Sequence, residues 1–126
     1  MIEQIGGVFL YSNNPEAMGQ WYKETLNLSY VFEQPGAAYV SVLNYKTLDD
    51  AKKYAVLSFN KSDSPIPENA NKAFRLNLRV ADMAKALEEL REKGVPVRGP
   101  ETHEQGTFAW INDPDGNEVE LWEDPS

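Results

Sequence analysis

The sequence contains no cysteine, so neither a disulfide framework nor a thiolate nucleophile or thiolate metal site can be built from it. Histidine occurs once, as His103. Basic residues are in the minority, with 12 Lys and Arg against 20 Asp and Glu and a formal charge of −8. Such a surface repels nucleic acid and anionic membrane, because phosphate binding depends on a basic footprint. No apolar run approaches the length of a membrane span. The N-terminus lacks a basic segment followed by a long apolar stretch, so no signal peptide is expected and the cytoplasm is the default location. What remains is ordinary. With 41% hydrophobic and 25% charged residues, a chain of 126 residues has the size and content of one globular domain with a real core.

Local signals divide the chain into alternating elements. Residues 5–11 form a short apolar run that reads as a strand. Asn14-Pro15-Glu16 is a helix start, with a side chain able to cap, Pro in the first turn and then an acid. Met18, Trp21, Tyr22, Thr25 and Leu26 recur at helical steps and mark the buried face, so core packing accounts for the Trp21-Tyr22 pair. Asn27 is suited to end the helix in the left-handed conformation. Strands are expected over 29–33 and 38–43, joined by the turn Gln34-Pro35-Gly36-Ala37. A polar insertion follows over 45–53, then a strand over 54–60 and a Ser-, Pro- and Asn-rich loop over 61–72.

The second half repeats the order. A strand over 73–80 precedes the cap Asp82, and Met83, Ala86, Leu87 and Leu90 form an inward helical stripe that Gly94 ends. A strand over 95–98, an irregular stretch to Gln105, a strand over 107–111, the turn 112–117 and a strand over 118–123 complete the chain. Asn14 and Asp82 occupy equivalent caps, an offset of 82 − 14 = 68, at which Leu10 meets Leu78 and Tyr22 meets Leu90. One domain over 1–126 is therefore expected, with module one at about 4–60 and module two at about 73–124.

Two segments carry a family resemblance. Gly6-Gly7-Val8-Phe9-Leu10-Tyr11, running through Asn14-Pro15-Glu16 to Trp21-Tyr22-Lys23-Glu24-Thr25-Leu26-Asn27, resembles the first strand and helix of the vicinal oxygen chelate superfamily. That superfamily includes glyoxalases, bleomycin-resistance proteins and extradiol dioxygenases; Asn27 stands where its helices usually carry Gly. Asp113-Pro114-Asp115-Gly116-Asn117-Glu118-Val119-Glu120-Leu121 is similar to the superfamily's ending. The resemblance implies an α+β fold of two βαβββ modules whose mixed sheets curl into a cup, with the helices on the convex side. It also implies homodimers and, in active members, a divalent metal held by His and Glu at four places, one on the first and one on the last strand of each module.

Carried onto this sequence, those places are Gly7, Val56, Arg75 and Glu120. Glycine and valine side chains offer no donor atom and arginine stays cationic, so Glu120 alone could ligate, where a catalytic ion needs about three protein ligands. No metal cofactor is expected. Strand alternation then groups Phe9 and Tyr11 with Gly7, Ser58 with Val56, Asn77 and Arg79 with Arg75, and Glu118 and Trp122 with Glu120. Trp110 on the neighbouring strand joins them. The opposite faces carry Val8, Leu10, Leu76, Leu78, Val80, Val119 and Leu121 and are suited to lie under the helices. Aromatic walls with a few polar groups make a small-molecule pocket, in which Arg75 is expected to pair with Glu120.

His103 is either a general base or a surface-loop histidine. Asp113 to Asn117 superficially matches a calcium loop, but Glu118 stands where that loop needs Gly, so it reads as a hairpin turn. Three functions compete. The first is a metal-free module binding a small organic ligand, aromatic or anionic, between Tyr11, Trp110, Trp122 and Arg75. The second is a glyoxalase-type lyase, isomerase or dioxygenase, which calls for a metal these positions cannot ligate in the usual way or else for a metal-independent form with Glu120 as base and Arg75 as electrophile. The third is an interaction domain whose cup is filled by side chains.

Overall fold

The structure, a computed structural model, describes residues 1–2, 5–46 and 52–125. The chain divides into two compact units, Met1–Pro67 and Glu68–Ser126, and the division falls inside the loop expected over 61–72. Each unit has the order strand, helix, three strands. The first contains β1 (Gly7–Ser12), α1 (Pro15–Leu26), β2 (Phe32–Gln34), β3 (Ala38–Lys46) and β4 (Lys52–Lys61). The second contains β5 (Leu76–Arg79), α2 (Met83–Glu92), β6 (Arg98–His103), β7 (Gly106–Asn112) and β8 (Glu118–Glu123).

Both helices begin and end where side-chain chemistry stops the backbone from continuing otherwise. Asn14 Oδ1 accepts from Ala17 N at 3.1 Å, and Asp82 Oδ1 accepts from Lys85 N at 3.1 Å. The Glu123 carboxylate of β8 accepts from Met83 N, adding negative charge at the start of α2. Asn27 takes φ 58° at the end of α1. After α2, Gly94 takes φ 74°, Val95 N donates to Leu90 O and Gly94 N donates to Arg91 O, which satisfies the last carbonyls.

The first sheet has the order β1-β4-β3-β2 and the second β5-β8-β7-β6. In each the first and last strands of the unit run parallel at its centre or edge, and the other pairs are antiparallel. Each helix covers one face of its own sheet. Under α1 the Tyr22 ring stacks on Phe59 at 4.4 Å, and Tyr39 packs against Gly19 so tightly that a Cβ there would lie 2.6 Å from the ring. Under α2, Met83, Leu87 and Leu90 are buried together with Leu76, Val119 and Leu121.

Several expected boundaries need correction. The ends of the polar insertion over 45–53 extend β3 and β4 as an antiparallel hairpin; residues 47–51 of that insertion lie outside the described residues. The strand expected over 29–33 is shifted to Phe32–Gln34, and the one expected over 73–80 shrinks to Leu76–Arg79. The strand expected over 95–98 begins only at Arg98, and the stretch expected to be irregular from there to Gln105 is strand as far as His103. This is β6, in which a register shift between Arg98 and Glu101 accommodates Pro100, and β6 lies at a sheet edge where a missing N–H breaks no ladder.

Candidate functional site

The face of each sheet turned away from its helix, here the open face, carries the expected site residues. On the first sheet Phe9 and Tyr11 are 56% and 60% exposed. Phe9 is in register with Ser58 and Gly7 with Val56, and β3 and β2 add Val40, Val42 and Phe32 to the same face. Ser58 is fully buried and its hydroxyl donates to Asn60 Oδ1 at 2.9 Å, so it offers nothing to a ligand. A Cβ at Gly7 would stand 2.7 Å from the Val56 carbonyl oxygen, so no side chain enters at that position without moving the backbone.

The open face of the second sheet is ionic and aromatic. The register Asn77↔Glu120 and Arg79↔Trp122 on one side, and Trp110↔Glu120 and Phe108↔Trp122 on the other, brings these side chains side by side. Arg75, one residue before β5, donates from Nε to Glu118 Oε2 at 2.7 Å and from Nη1 to Glu120 Oε2 at 3.0 Å. Trp110 Nε1 donates to Glu120 Oε2 at 2.7 Å, and Asn77 Nδ2 to Glu120 Oε1 at 2.8 Å. Arg98 donates to Glu118 Oε1 at 3.0 Å and to Asn112 Oδ1 at 2.7 Å. All four carboxylate oxygens of Glu118 and Glu120 thus accept from protein donors. The Arg75 bond first, then the Arg98 bond, hold the Glu118 carboxyl below its usual range. The Glu118 bond holds the Arg75 guanidinium above its ordinary value.

The expected Arg75–Glu120 contact is present, but Arg75 also binds Glu118 and its side chain is half exposed. The large penalty that isolates a buried charge therefore does not apply to it. A second row runs across the strands. His103 lies 6.1 Å from Phe108 between ring centroids, Phe108 lies 6.2 Å from Trp122 with planes 2° apart, and the Arg79 guanidinium sits 4.4 Å over Trp122. Trp122 Nε1 donates to Gln105 O at 2.8 Å, fixing the indole against the β6–β7 turn.

Phe108, Arg98 and Asn112 were not among the residues expected from sequence. Phe108 was legible, since it lies two positions before Trp110 on one strand. Arg98 was hidden because the stretch after it read as irregular. The turn after β7 is built by Asp113, whose Oδ1 accepts from Asp115 N at 3.0 Å and Asn117 N at 2.9 Å, and whose Oδ2 accepts from Asn117 Nδ2 at 2.9 Å. It sets the register that places Glu118 and Glu120. Among the described residues no group of three or more His, Cys, Asp or Glu is close enough to hold a metal ion, and no helix is long and apolar enough to cross a membrane.

A family model described as Glyoxalase/Bleomycin resistance protein/Dioxygenase superfamily matches residues 4–121. Biphenyl-2,3-diol 1,2-dioxygenase 3 of Rhodococcus globerulus is 30% identical over 119 residues, covering 89% of this chain and 58% of that protein. Biphenyl-2,3-diol 1,2-dioxygenase 2 of the same organism is 27% identical over 119 residues, covering 90% of this chain and 59% of that protein. The chain therefore spans about three fifths of the length of these curated relatives. Among solved structures, TnmS3, an antibiotic binding protein from Streptomyces sp., is 26% identical with a TM-score of 0.68, covering 98% of this chain and 97% of that one. A bleomycin resistance determinant encoded on the transposon Tn5 shares the fold at 20% identity and a TM-score of 0.69, covering 98% of this chain and 100% of that one.

Proposed function

The chain belongs to the glyoxalase/bleomycin resistance protein/dioxygenase superfamily, and from that premise we propose that it is a metal-free member binding a small organic ligand on the open face of its second sheet. One observation carries this reading. Glu120, the only family ligand position that keeps a donor, has both oxygens engaged by Arg75, Asn77 and Trp110. A carboxylate spent on three donors, beside a cation at Arg75 and with Gly7 and Val56 at the other places, does not fit a divalent ion. What the face offers instead is aromatic surface from Phe108, Trp110 and Trp122 with charged groups held in fixed positions, the usual composition of a small-molecule site. That TnmS3 is an antibiotic binding protein supports the same direction. A homodimer in the cytoplasm completes the proposal.

The enzymatic reading is favoured by the names of the two dioxygenases, and it makes the opposite demand. Calorimetric titration with Fe²⁺, Mn²⁺, Zn²⁺ and Ni²⁺, together with elemental analysis of the purified protein, separates the two. The expected result is no stoichiometric binding. Tight one-to-one binding of any of these ions, lost in Glu120→Gln, would overturn the proposal.

A further inference from the structure

At the centre of the open face of the second sheet the acceptors are engaged while donors at its β5 edge remain free. Both oxygens of Glu118 and of Glu120, and Oδ1 of Asn112, already accept. A guanidinium carries five N–H groups. Arg75 commits Nε and Nη1, and Arg79 commits only Nε, to Asp124 at 3.2 Å. Nη2 of Arg75 and both terminal nitrogens of Arg79 have no acceptor among the described residues. The Arg79 guanidinium also lies over the Trp122 ring, its carbon 4.4 Å from the centroid, which with the Asp124 ion pair limits where its terminal nitrogens can reach.

The far edge of the same face carries a carboxylate beside the engaged guanidinium of Arg98. Glu101 on β6 is in register with Phe108 and has no partner among the described residues. The strand order places β5, with Arg79, at one edge and β6, with Glu101, at the other. Three strand spacings separate them, about 14 Å. At the β6 edge Glu101 repels a ligand carboxylate, and the terminal nitrogens of Arg98 each already donate, to Asn112 and Glu118. The terminal nitrogens of Arg79 at the β5 edge are free to receive it, and Phe108 and Trp110 of β7 lie between.

We propose that the ligand is a planar aryl carboxylate whose ring lies against Phe108 and Trp110 and whose carboxylate is held by the terminal nitrogens of Arg79. This rests on the ligand-binding reading above. A carboxylate matches a guanidinium fork with two parallel hydrogen bonds, which neither an amide nor an ammonium reproduces. The overall charge of −8 opposes an anion only at long range, and it is screened over about 8–10 Å at ordinary ionic strength.

Tryptophan fluorescence quenching with three probes of one shape tests it: 2-naphthoate, 2-naphthamide and 2-naphthylmethylammonium. The expected order is naphthoate first, by at least about tenfold over the amide, the equivalent of one charge-assisted hydrogen bond. In Arg79→Met, which keeps a side chain over Trp122 but removes the fork, the preference falls to less than about twofold. Arg91→Gln on α2, the same charge change away from the face, keeps the wild-type preference. Equal affinity for naphthoate and naphthamide, or an unchanged preference in Arg79→Met, would overturn the aryl carboxylate while leaving ligand binding in place. Absence of saturable quenching by all three probes, in protein shown folded by circular dichroism, would overturn both.

Discussion

On the open face of the first sheet stand Phe9, Tyr11, Phe32, Val40, Val42 and Val56; on that of the second stand Arg75, Asn77, Arg79, Glu118, Glu120 and three aromatic rings. The two sheets share element order, strand order and helix placement. Their covered faces are also alike, built on Tyr22, Phe59 and Met18 in one and on Leu87, Leu90 and Leu121 in the other. The difference therefore lies wholly in the alternate positions of the strands. A strand presents its odd and even residues to opposite sides, so one face can keep the fold while the other changes chemistry.

The largest expected effect tests that separation within one sheet. Phe59 is fully buried beneath α1, whereas Phe9, across β1 on the other face, is more than half exposed. Phe59→Ala is expected to cost about 3–5 kcal/mol and Phe9→Ala less than about 0.5 kcal/mol, read from urea unfolding midpoints at a common slope. Comparable losses in the two variants would show that the first open face is packed, and the contrast between covered and open faces would fail.

How far the sequence revealed this arrangement depends on how local the signal was. Asn14, Asp82, Asn27 and Gly94 fixed both helices because a cap acts within one turn. Strand parity grouped Arg75, Asn77, Arg79, Glu118, Glu120 and Trp122 because the period of two survives any packing. The misses were non-local. Pro100 reads as a strand breaker unless one knows that β6 is an edge with a register shift. With β6 unread, Arg98 had no reason to be placed beside Glu118 and Asn112. Ser58 had the right parity for the site, but its burial and its bond to Asn60 follow from neighbours on two other strands. That Glu118 shares Arg75 with Glu120 was likewise set by register, which no spacing in the sequence reports.

A smaller effect separates the two open faces by their response to acid. Glu118 titrates below the usual carboxylate range because of its bonds to Arg75 and then to Arg98. A carboxylate whose folded value is depressed stabilises the fold above its unfolded value, and that contribution is lost as the pH falls through the folded value. The Arg75 side chain is 50% and that of Glu118 33% exposed, so solvent screening keeps the contribution modest. Arg75→Met is expected to lower the urea midpoint at neutral pH, with the gap to the wild type closing as the pH falls through and below the ordinary carboxylate range. Tyr11→Phe, on the other open face, is expected to follow the wild-type acid profile. A gap for Arg75→Met that is constant with pH would mean that the guanidinium acts by packing alone.

The smallest effect concerns two serines on opposite faces of the first sheet. Ser41 and Ser58 are both 1% exposed, Ser41 on the covered face across from Leu57 and Ser58 on the open face across from Phe9. The Ser58 hydroxyl donates to Asn60, whereas Ser41 Oγ has no hydrogen-bond partner among the described residues. Removing a satisfied hydroxyl loses its bond and leaves Asn60 Oδ1 short of a donor. Removing an unsatisfied one relieves a group that gave up water for nothing. Ser58→Ala is therefore expected to destabilise by about 1 kcal/mol, and Ser41→Ala to be neutral or stabilising by up to about 1 kcal/mol. Both are measured by urea unfolding. A loss in Ser41→Ala as large as that in Ser58→Ala would show that the Ser41 hydroxyl is bonded after all, and the covered face would then be as polar in its requirements as the open one.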